Sequence, residues 1–308
     1  MRRSLWQIAN SLLPYLLLWY LMYRSLAVSY WLTLALAVPT AGFMVRIFII
    51  FHDCGHGSFF KSHRANAFVG IVTGLLTLTP YYEWRNNHAI HHATAGDLDR
   101  RGVGDVKTLT VKDYQALPLL RKIGYRIMRN PLVMFTIGAW LVFILFHRFP
   151  GKKGGKREKW GVLWTDLALA GLVVLMGILV GFKEFLLVQL PIVMLGTSIG
   201  VWLFYVQHNF EGTYWERHEK WNFIQAGLQG SSYYQLPKWL QWFTGNIGFH
   251  HIHHLSPRIP NYKLNQCHQE NPFFQQVKPL TIRNSLKSLR FRFWDEENHK
   301  MVGYEALK

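Results

Sequence analysis

The sequence predicts an all-α integral membrane protein with about four transmembrane helices, two short interfacial or re-entrant segments and a cytoplasmic helical cap rich in histidine. Three observations predict this class. Half of the 308 residues are hydrophobic and 17% are charged, whereas an ordinary soluble domain has roughly 25% charged residues. Several apolar runs approach the ~20 residues that a helix needs to cross a bilayer. Most of the 15 histidines lie in groups that follow such runs or stand between them.

The apolar runs predict four spans, at residues 10–23, 30–51, 162–182 and 185–207. The first follows Met1-Arg2-Arg3 and resembles a signal peptide, but no small-residue cleavage site follows it, so we expect a retained helix. The second span ends directly before His52, and the fourth ends directly before His208. Two weaker runs, at 68–80 and 132–146, are short for a full crossing.

The distribution of basic residues predicts which loops lie on the cytoplasmic side of the membrane. The loop at 148–159 has six of them against the single acid Glu158: Arg148, Lys152, Lys153, Lys156, Arg157 and Lys159. Such an excess is typical of cytoplasmic loops, and the other short loops between spans lack it. Four crossings then place residues 52–161 and 208–308 in the cytoplasm, within a single domain that covers residues 1–308. The two short runs return to the side from which they came.

Composition excludes several classes of protein. A chain this hydrophobic is not a disordered one. The net charge of +17 suits anionic lipid headgroups, and no nucleic-acid-binding module accompanies it. Two cysteines, Cys54 and Cys267, are too few for a disulfide framework.

Near the end of the chain, Leu286 and Phe293 share one face of residues 285–294, which predicts an amphipathic helix of interfacial or ordinary surface type.

The grouped histidines have the spacing of metal ligands. On a helix, residues three or four apart share a face, so one HxxxH group and two HxxHH groups each present their imidazoles together. The candidate metal ligands are His52, His56, His88, His91, His92, His208, His250, His253 and His254. Protonated imidazoles packed so closely would repel one another, whereas neutral ones around a metal ion would not. His251 and the other histidines are expected to be surface or core residues.

The residues alone do not decide which metal is bound. A structural zinc takes four ligands and would leave about half of these histidines unused, and imidazole suits iron, zinc, copper and nickel. The zinc-binding motif HExxH begins at His218-Glu219 but is not completed, because Asn222 stands where its second histidine should be. Only Glu296–His299 matches the Glu-x-x-His motif that soluble di-iron bundles need twice. Histidines at helix ends and in polar segments also disfavour a haem inside the bilayer.

Four stretches of the chain, "RIFIIFHDCGHGSFF", "HAIHHATAGDLDRRGVGD", "GVWLFYVQHNFEGTYW" and "TGNIGFHHIHHLSPRIPNYKL", resemble the integral-membrane fatty acid desaturases, and bacillar acyl-lipid desaturases in particular. The likeness covers about residues 10–300, and the histidine groups correspond to the three histidine boxes of that family. It implies a non-haem di-iron enzyme that uses O2 and two electrons to insert a cis double bond. It also implies two iron ions held by the nine histidines named above. The acyl-CoA branch has an asparagine four residues before the lone histidine, and here Phe204 stands in that place.

The resemblance also bears on the surroundings of the iron. Ligand histidines need hydrogen-bond acceptors that fix their tautomers, and the candidates closest to them in sequence are Asp53, Asp97, Glu211 and Asn246. No cytochrome-type HPGG motif and no flavin or nicotinamide fingerprint is present. Electrons are therefore expected from a separate carrier, a ferredoxin or flavodoxin, whose acidic surface would suit this basic protein.

The expected substrate is an acyl chain of a membrane phospholipid, and the expected location is the cytoplasmic membrane with the active site facing the cytoplasm. The resemblance leans toward a delta-5 double bond, with delta-12 and delta-9 as alternatives. Hydroxylases of alkanes or acyl chains share this histidine pattern and form a second hypothesis. A transition-metal transporter would carry ionisable residues along its spans, whereas Asp166 is the only acid within a predicted span.

Overall fold

The protein is mostly helical in a computed structural model that describes residues 1–151 and 154–307. The predicted apolar spans form long helices, and none of these helices has more than one proline inside it. Within the described residues the α-helices are, in order, α1 (Arg2–Ser25), α2 (Tyr30–His56), α3 (His63–Leu76), α4 (Tyr81–Thr94), α5 (Val111–Gln115), α6 (Leu119–Met128), α7 (Pro131–Val133), α8 (Ala139–Ile144), α9 (Lys156–Val180), α10 (Phe182–His208), α11 (Phe223–Leu228), α12 (Lys238–Phe243), α13 (His250–Leu255), α14 (Asn261–Glu270), α15 (Pro272–Gln275) and α16 (Ile282–Ser285).

Other helical turns extend some of these elements. A π-helical turn at Met134–Gly138 joins α7 to α8, and a 3-10 turn at Phe146–Arg148 follows α8. Two further 3-10 turns lie near the end of the chain, at Leu286–Arg290 and Tyr304–Leu307.

Short strands form two small sheets. The strands are β1 (Leu109–Thr110), β2 (Tyr233–Gln235), β3 (Pro279–Thr281), β4 (Phe293–Asp295) and β5 (Lys300–Val302). In one sheet β4 pairs parallel to β1 and antiparallel to β5, with Phe293 opposite both Leu109 and Val302. The other sheet is the parallel pair of β2 and β3. These sheets lie in the polar part of the sequence and do not alter the all-α class.

The chain divides into two compact units. The first contains Met1–Asn86, Ala139–Gly200 and Trp242–Gly245. Its apolar core includes Met22 of α1, Ile47 of α2, and Ile192 of α10, all fully buried. In this unit α1 packs along α2.

The second unit contains the rest of the chain, Asn87–Gly138, Val201–Gln241 and Asn246–Lys308. Its core has two aromatic clusters next to the three-stranded sheet. Tyr114, Tyr125 and Phe293 pack in one of them, and Trp215 and Trp294 pack in the other. Seven of the nine candidate ligand histidines belong to this unit.

Four helical stretches of the described chain are long and apolar enough to cross a membrane: Tyr30–His56, Pro131–Arg148, Lys156–Val180 and Phe182–His208. Two of them contain the predicted spans 30–51 and 185–207, and Lys156–Val180 contains most of the predicted span 162–182. The fourth contains the run at 132–146, which was expected to be interfacial or re-entrant, but the adjoining α7, π turn, α8 and 3-10 turn make a continuous 18-residue stretch. α1, which contains the predicted span at 10–23, is not among the four, because polar side chains such as Arg2, Gln7 and Asn10 occupy its first half.

Two further expectations differ from the structure. Residues 285–294 do not form one amphipathic helix: α16, a 3-10 turn and strand β4 divide them, and Phe293 is buried in the core because it pairs with Leu109 in the sheet. The loop at 148–159 is shorter than expected, since α9 already begins at Lys156. Lys152 and Lys153 of that loop lie outside the described residues.

Candidate metal centre

Helix α4 presents three candidate ligands on one face. His88, His91 and His92 follow the i, i+3, i+4 spacing, so successive turns bring their rings together. The ring centroids of His88 and His92 are 4.6 Å apart, and His91 is fully buried. The short helix α13 repeats this arrangement with His250, His253 and His254, all buried.

Four histidines from three helices converge in the second unit. This four-histidine cluster consists of His91, His208, His250 and His254, and one ring nitrogen from each lies within 4.8 Å of the others. The Nε2 atom of His208 is 3.1 Å from Nε2 of His91 and 3.0 Å from Nε2 of His250. The Nε2 atoms of His250 and His254 are 3.1 Å apart.

A three-histidine cluster adjoins the first. It consists of His88, His92 and His253, and Nε2 of His92 lies 3.1 Å from Nε2 of His88 and 3.0 Å from Nε2 of His253. The rings of His92 and His254 stack with their centroids 4.1 Å apart, so the two clusters are in direct contact. Two adjacent groups of imidazole donors are thus present within one compact unit.

The HxxxH pair lies at the end of α2 in the first unit. The ring centroids of His52 and His56 are 4.7 Å apart. Gly57 follows at once in the left-handed conformation, with φ of +69°, which ends the helix directly after the second histidine. The indole of Trp84 packs on His52 with the ring centroids 5.6 Å apart.

Hydrogen bonds donated by Nδ1 fix the tautomers of three of these histidines. Nδ1 of His91 donates to Oδ1 of Asp105 at 2.5 Å, and Nδ1 of His208 donates to the carbonyl oxygen of Gly230 at 3.1 Å. In the first unit, Nδ1 of His52 donates to Oδ1 of Asp53 at 3.2 Å. A proton on Nδ1 leaves the lone pair on Nε2, the nitrogen that a metal ion would bind.

The environment of the four-histidine cluster favours neutral imidazoles. Burial, and then the neighbouring rings of His92 and His250, hold the pKa of His254 well below its usual value of 6.5. Since the ring is uncharged at neutral pH, no proton has to be displaced before a cation binds.

This spacing of donors fits a metal ion better than a set of hydrogen bonds. With Nδ1 protonated in both His91 and His208, the two Nε2 lone pairs face each other at 3.1 Å. Such an approach is repulsive unless a cation lies between the nitrogens. Two nitrogen ligands at roughly 2.1 Å from a metal and at right angles are roughly 3.0 Å apart, which matches the separations in both clusters.

Comparison with known proteins identifies the family. The sequence profile described as "Fatty acid desaturase" matches residues 29–280. The chain belongs to the fatty acid desaturase family. Because desaturases are oxidoreductases, this membrane protein is an enzyme of that class.

Desaturases from plants and bacteria are similar to this chain, and three bacterial ones illustrate the likeness. The chain is 50% identical over 307 residues to the "Fatty acid desaturase" of Bacillus subtilis (strain 168). The alignment covers 100% of this chain and 87% of the relative. It is 28% identical over 260 residues to the "sn-1 oleoyl-lipid 12-desaturase" of Anabaena variabilis, covering 81% of this chain and 72% of that protein. It is 29% identical over 231 residues to the "sn-1 acyl-lipid omega-3 desaturase (ferredoxin)" of Nostoc sp. (strain 36), covering 71% and 61%.

The four acceptor residues expected from the sequence make different contacts in the structure. Asp53 accepts from a candidate ligand, as described above. The carboxylate of Asp97 instead accepts from Arg100 at 2.6 Å and from His218 at 2.8 Å. Glu211 is exposed and pairs with Lys287, since the chain leaves α10 for the surface three residues after His208.

The remaining candidate, Asn246, has a backbone role. Its φ is +57°, and its Nδ2 atom donates to the carbonyl oxygen of Asn261 at 3.4 Å. It therefore shapes the turn that precedes α13, the helix that carries the candidate ligands His250, His253 and His254.

Two acceptors were not predicted from the sequence, Asp105 and the carbonyl oxygen of Gly230. Asp105 reaches His91 because Gly104 has φ of +70° and lies against α4, where a Cβ atom would be 3.1 Å from both the carbonyl oxygen of Asn87 and Cβ of His91. Two glycines just before an aspartate are a weak signal for such a close approach. A backbone carbonyl carries no sequence signal at all.

Phe204 and His251 both pack against other ring side chains. The ring of Phe204 packs on His91 and His208, with centroid distances of 5.1 and 5.4 Å, so it supplies no water-binding group beside these candidate ligands. The ring of His251 packs instead near Tyr233 and His268. Burial, together with His268, lowers the pKa of His251 to about 3.

Proposed function

We propose that this protein is an acyl-lipid desaturase that inserts a cis double bond into the acyl chains of membrane phospholipids at a non-haem di-iron centre. The observation that carries the proposal is the pair of adjoining imidazole clusters in a chain of the desaturase family. An unactivated methylene has no acidic proton and no leaving group, so acid–base or nucleophilic side chains alone cannot attack it.

The family pattern assigns nine histidines to the two iron ions. Seven belong to the two clusters described above, and the proposal adds His52 and His56. Iron bound by these ligands would supply the redox chemistry with O2 that breaks C–H bonds of a saturated chain. Overall, –CH2–CH2– with O2, two electrons and two protons would give –CH=CH– and two molecules of water.

The protein's own residues would hold and orient this centre. Asp105, Asp53 and the carbonyl oxygen of Gly230 keep the proton on Nδ1 of their histidines, so each Nε2 lone pair is directed to its ligand position. Phe204 places an apolar ring against His91 and His208, and such a ring would suit a lipid chain as substrate.

The proposed substrate and location follow from the membrane-length helices and the relatives. An acyl chain can reach the centre from the bilayer without passing through water. The Anabaena relative is named for oleoyl-lipid, which supports lipid-linked chains as substrates here. We propose the cytoplasmic membrane, with the histidines facing the cytoplasm, and a delta-5 double bond with delta-12 and delta-9 as alternatives.

Two electrons per turnover must come from a separate protein under this proposal. We propose a ferredoxin or flavodoxin as the donor, because the net charge of +17 favours encounter with an acidic carrier. The Nostoc relative is named for ferredoxin. This agrees with the expected type of donor.

Analysis of membrane fatty acids tests the proposed activity. Cells that express the protein, with a co-expressed ferredoxin system, are compared with cells that express His91→Ala at the same membrane level. Gas chromatography–mass spectrometry after derivatisation of double bonds should detect a new unsaturated acid only with the intact protein, and it gives the position of the bond.

Other products would change the assignment. A hydroxy acid in place of the unsaturated acid would indicate a hydroxylase with the same histidines, and would overturn desaturation. An active His91→Ala protein would refute the ligand assignment.

A further inference from the structure

Helix α6 exposes an apolar face outside the metal centre. Leu119 is 74% exposed, Leu120 81%, Ile123 45% and Ile127 56%. On a helical projection at 100° per residue these four side chains fall within one continuous arc. A surface helix of a soluble protein turns its apolar arc toward the core. Helix α6 instead turns its apolar arc outward.

The opposite side of α6 is anchored to the second unit. Tyr125 is buried, and its ring stacks on Phe293 with the centroids 5.7 Å apart. Its hydroxyl donates to the carbonyl oxygen of Arg292 at 2.6 Å and accepts from the backbone N–H of Leu109 at 3.1 Å. These contacts fix the rotation of the helix, so its apolar face is held outward by the fold.

Basic residues flank this apolar arc. The helix carries Arg121, Lys122 and Arg126 and no acidic residue. The guanidinium of Arg126 donates to the hydroxyl of Tyr114 at 2.7 Å and lies over the ring of Tyr304, while the ammonium of Lys122 lies over the ring of Tyr114. An outward apolar face with cations along its border is the pattern of a helix that lies on an anionic membrane surface.

The chain continues directly from α6 into a membrane-length stretch. Only Arg129 and Asn130 separate Met128, the last residue of α6, from Pro131. Three Cα steps span at most roughly 11 Å. The end of α6 must therefore lie near the boundary at which the stretch Pro131–Arg148 would enter the bilayer.

We propose that α6 lies along the lipid–water interface, with its apolar face (Leu119, Leu120, Ile123 and Ile127) among the acyl chains and its basic residues on anionic headgroups. A lipid surface is favoured over a second copy of the protein, because two copies of this helix would bring like charges together. The helix would hold the second unit, with its two histidine clusters, against the membrane.

Fluorescence quenching in reconstituted full-length protein tests this placement. A bimane label is attached at Leu120→Cys, or as a control at Lys112→Cys, an exposed position of α5, in a Cys267→Ser background that retains the buried Cys54. In vesicles containing phosphatidylglycerol, a lipid-borne nitroxide should quench the label at residue 120 several-fold more than that at residue 112. Aqueous iodide should show the reverse order. Equal iodide quenching at the two positions would overturn the proposal.

Two further measurements separate lipid from a protein partner and test the role of charge. Cross-linking of two Leu120→Cys chains by a short bis-maleimide at low protein-to-lipid ratio would overturn a lipid-facing helix, and no cross-linking is expected. Replacing phosphatidylglycerol by phosphatidylcholine, or introducing Arg121→Gln, should reduce the nitroxide quenching at residue 120. Quenching that is unchanged in both cases would overturn the anionic-lipid contact.

Discussion

Nδ1 of His91 donates a 2.5 Å hydrogen bond to Oδ1 of Asp105, a residue 14 positions further along the chain. The His91 side chain is fully buried, and that of Asp105 is nearly so. The bond holds the proton on Nδ1 and directs the Nε2 lone pair toward His208. A carboxylate outside the histidine motifs therefore sets the tautomer of a candidate metal ligand in the four-histidine cluster.

Asp105→Asn should weaken metal binding without unfolding the protein. The amide keeps the shape of the side chain but loses the charge that orients His91, and loss of such a partner typically lowers metal affinity by about 10–100-fold. Iron retained per chain is measured by mass spectrometry after dialysis against graded chelator. Glu211→Gln removes an exposed carboxylate that pairs with Lys287, so it should retain iron like the parent. Equal retention by Asp105→Asn and Glu211→Gln would contradict the role of Asp105.

Gly104→Ala should disturb the same ligand through the backbone. Its φ of +70° disfavours any side chain, and the new methyl would press on Asn87 and His91. Gly102 also has positive φ, but a Cβ there meets nothing within 4 Å, so Gly102→Ala carries the backbone strain alone. Iron content and thermal stability of the two variants are compared in the same detergent. If both variants lose equal amounts of iron, the contact with His91 has no specific importance.

Helical periodicity carries most of what the sequence can predict about the site. Spacings of three and four residues predict that His88, His91 and His92 share one helix face, and α4 has that arrangement. Asp105 was not predicted because it lies in a loop, where no periodicity links it to a helix face. The partner of His208 is a backbone carbonyl, which any residue could supply.

Local hydropathy is less informative about the ends of the elements. The apolar run at 132–146 is short because the residues that flank it are less apolar, while helical geometry continues from Pro131 to Arg148. The sequence places Phe293 on the apolar face of an amphipathic helix, but pairing with Leu109 and Val302 places it in a sheet. Contacts between residues far apart in sequence decide that outcome, and one sequence does not reveal them.

His147→Ala should leave metal binding intact. His147 lies in the 3-10 turn after α8, with its ring centroid 4.9 Å from that of Phe143, and it belongs to neither histidine cluster. Iron content should match that of the parent protein, whereas His91→Ala should lose iron and activity while still inserting into the membrane. Loss of iron from His147→Ala would show that the ligand set is wrong.

Asp97 should make stability depend on pH in the acid range. Burial alone would raise its pKa, but hydrogen bonds from Arg100 and His218 outweigh burial and lower the pKa below 3.8. Because the folded-state pKa is the lower one, this stabilisation is present above about pH 4 and is lost as pH falls through the folded-state value.

The variant Asp97→Asn tests that dependence. At pH 7 it should lower the free energy of unfolding by about 2 kcal/mol, as for hydrogen bonds to a charged group. Thermal unfolding in detergent from pH 7 to pH 3 should show the two proteins converging as the carboxylate of the parent becomes protonated. A difference that stays constant over this range would contradict the ionised role of Asp97.

The metal content of the purified full-length protein is the sharpest test of the proposed di-iron centre. Inductively coupled plasma mass spectrometry, with total protein from amino-acid analysis, is applied to the parent protein and to His250→Ala, which removes a donor from the four-histidine cluster. Two iron ions are expected in the parent, and iron should be lost from the variant at an unchanged fold. A parent protein that binds zinc in place of iron, or a His250→Ala variant with the full iron content, would contradict this expectation.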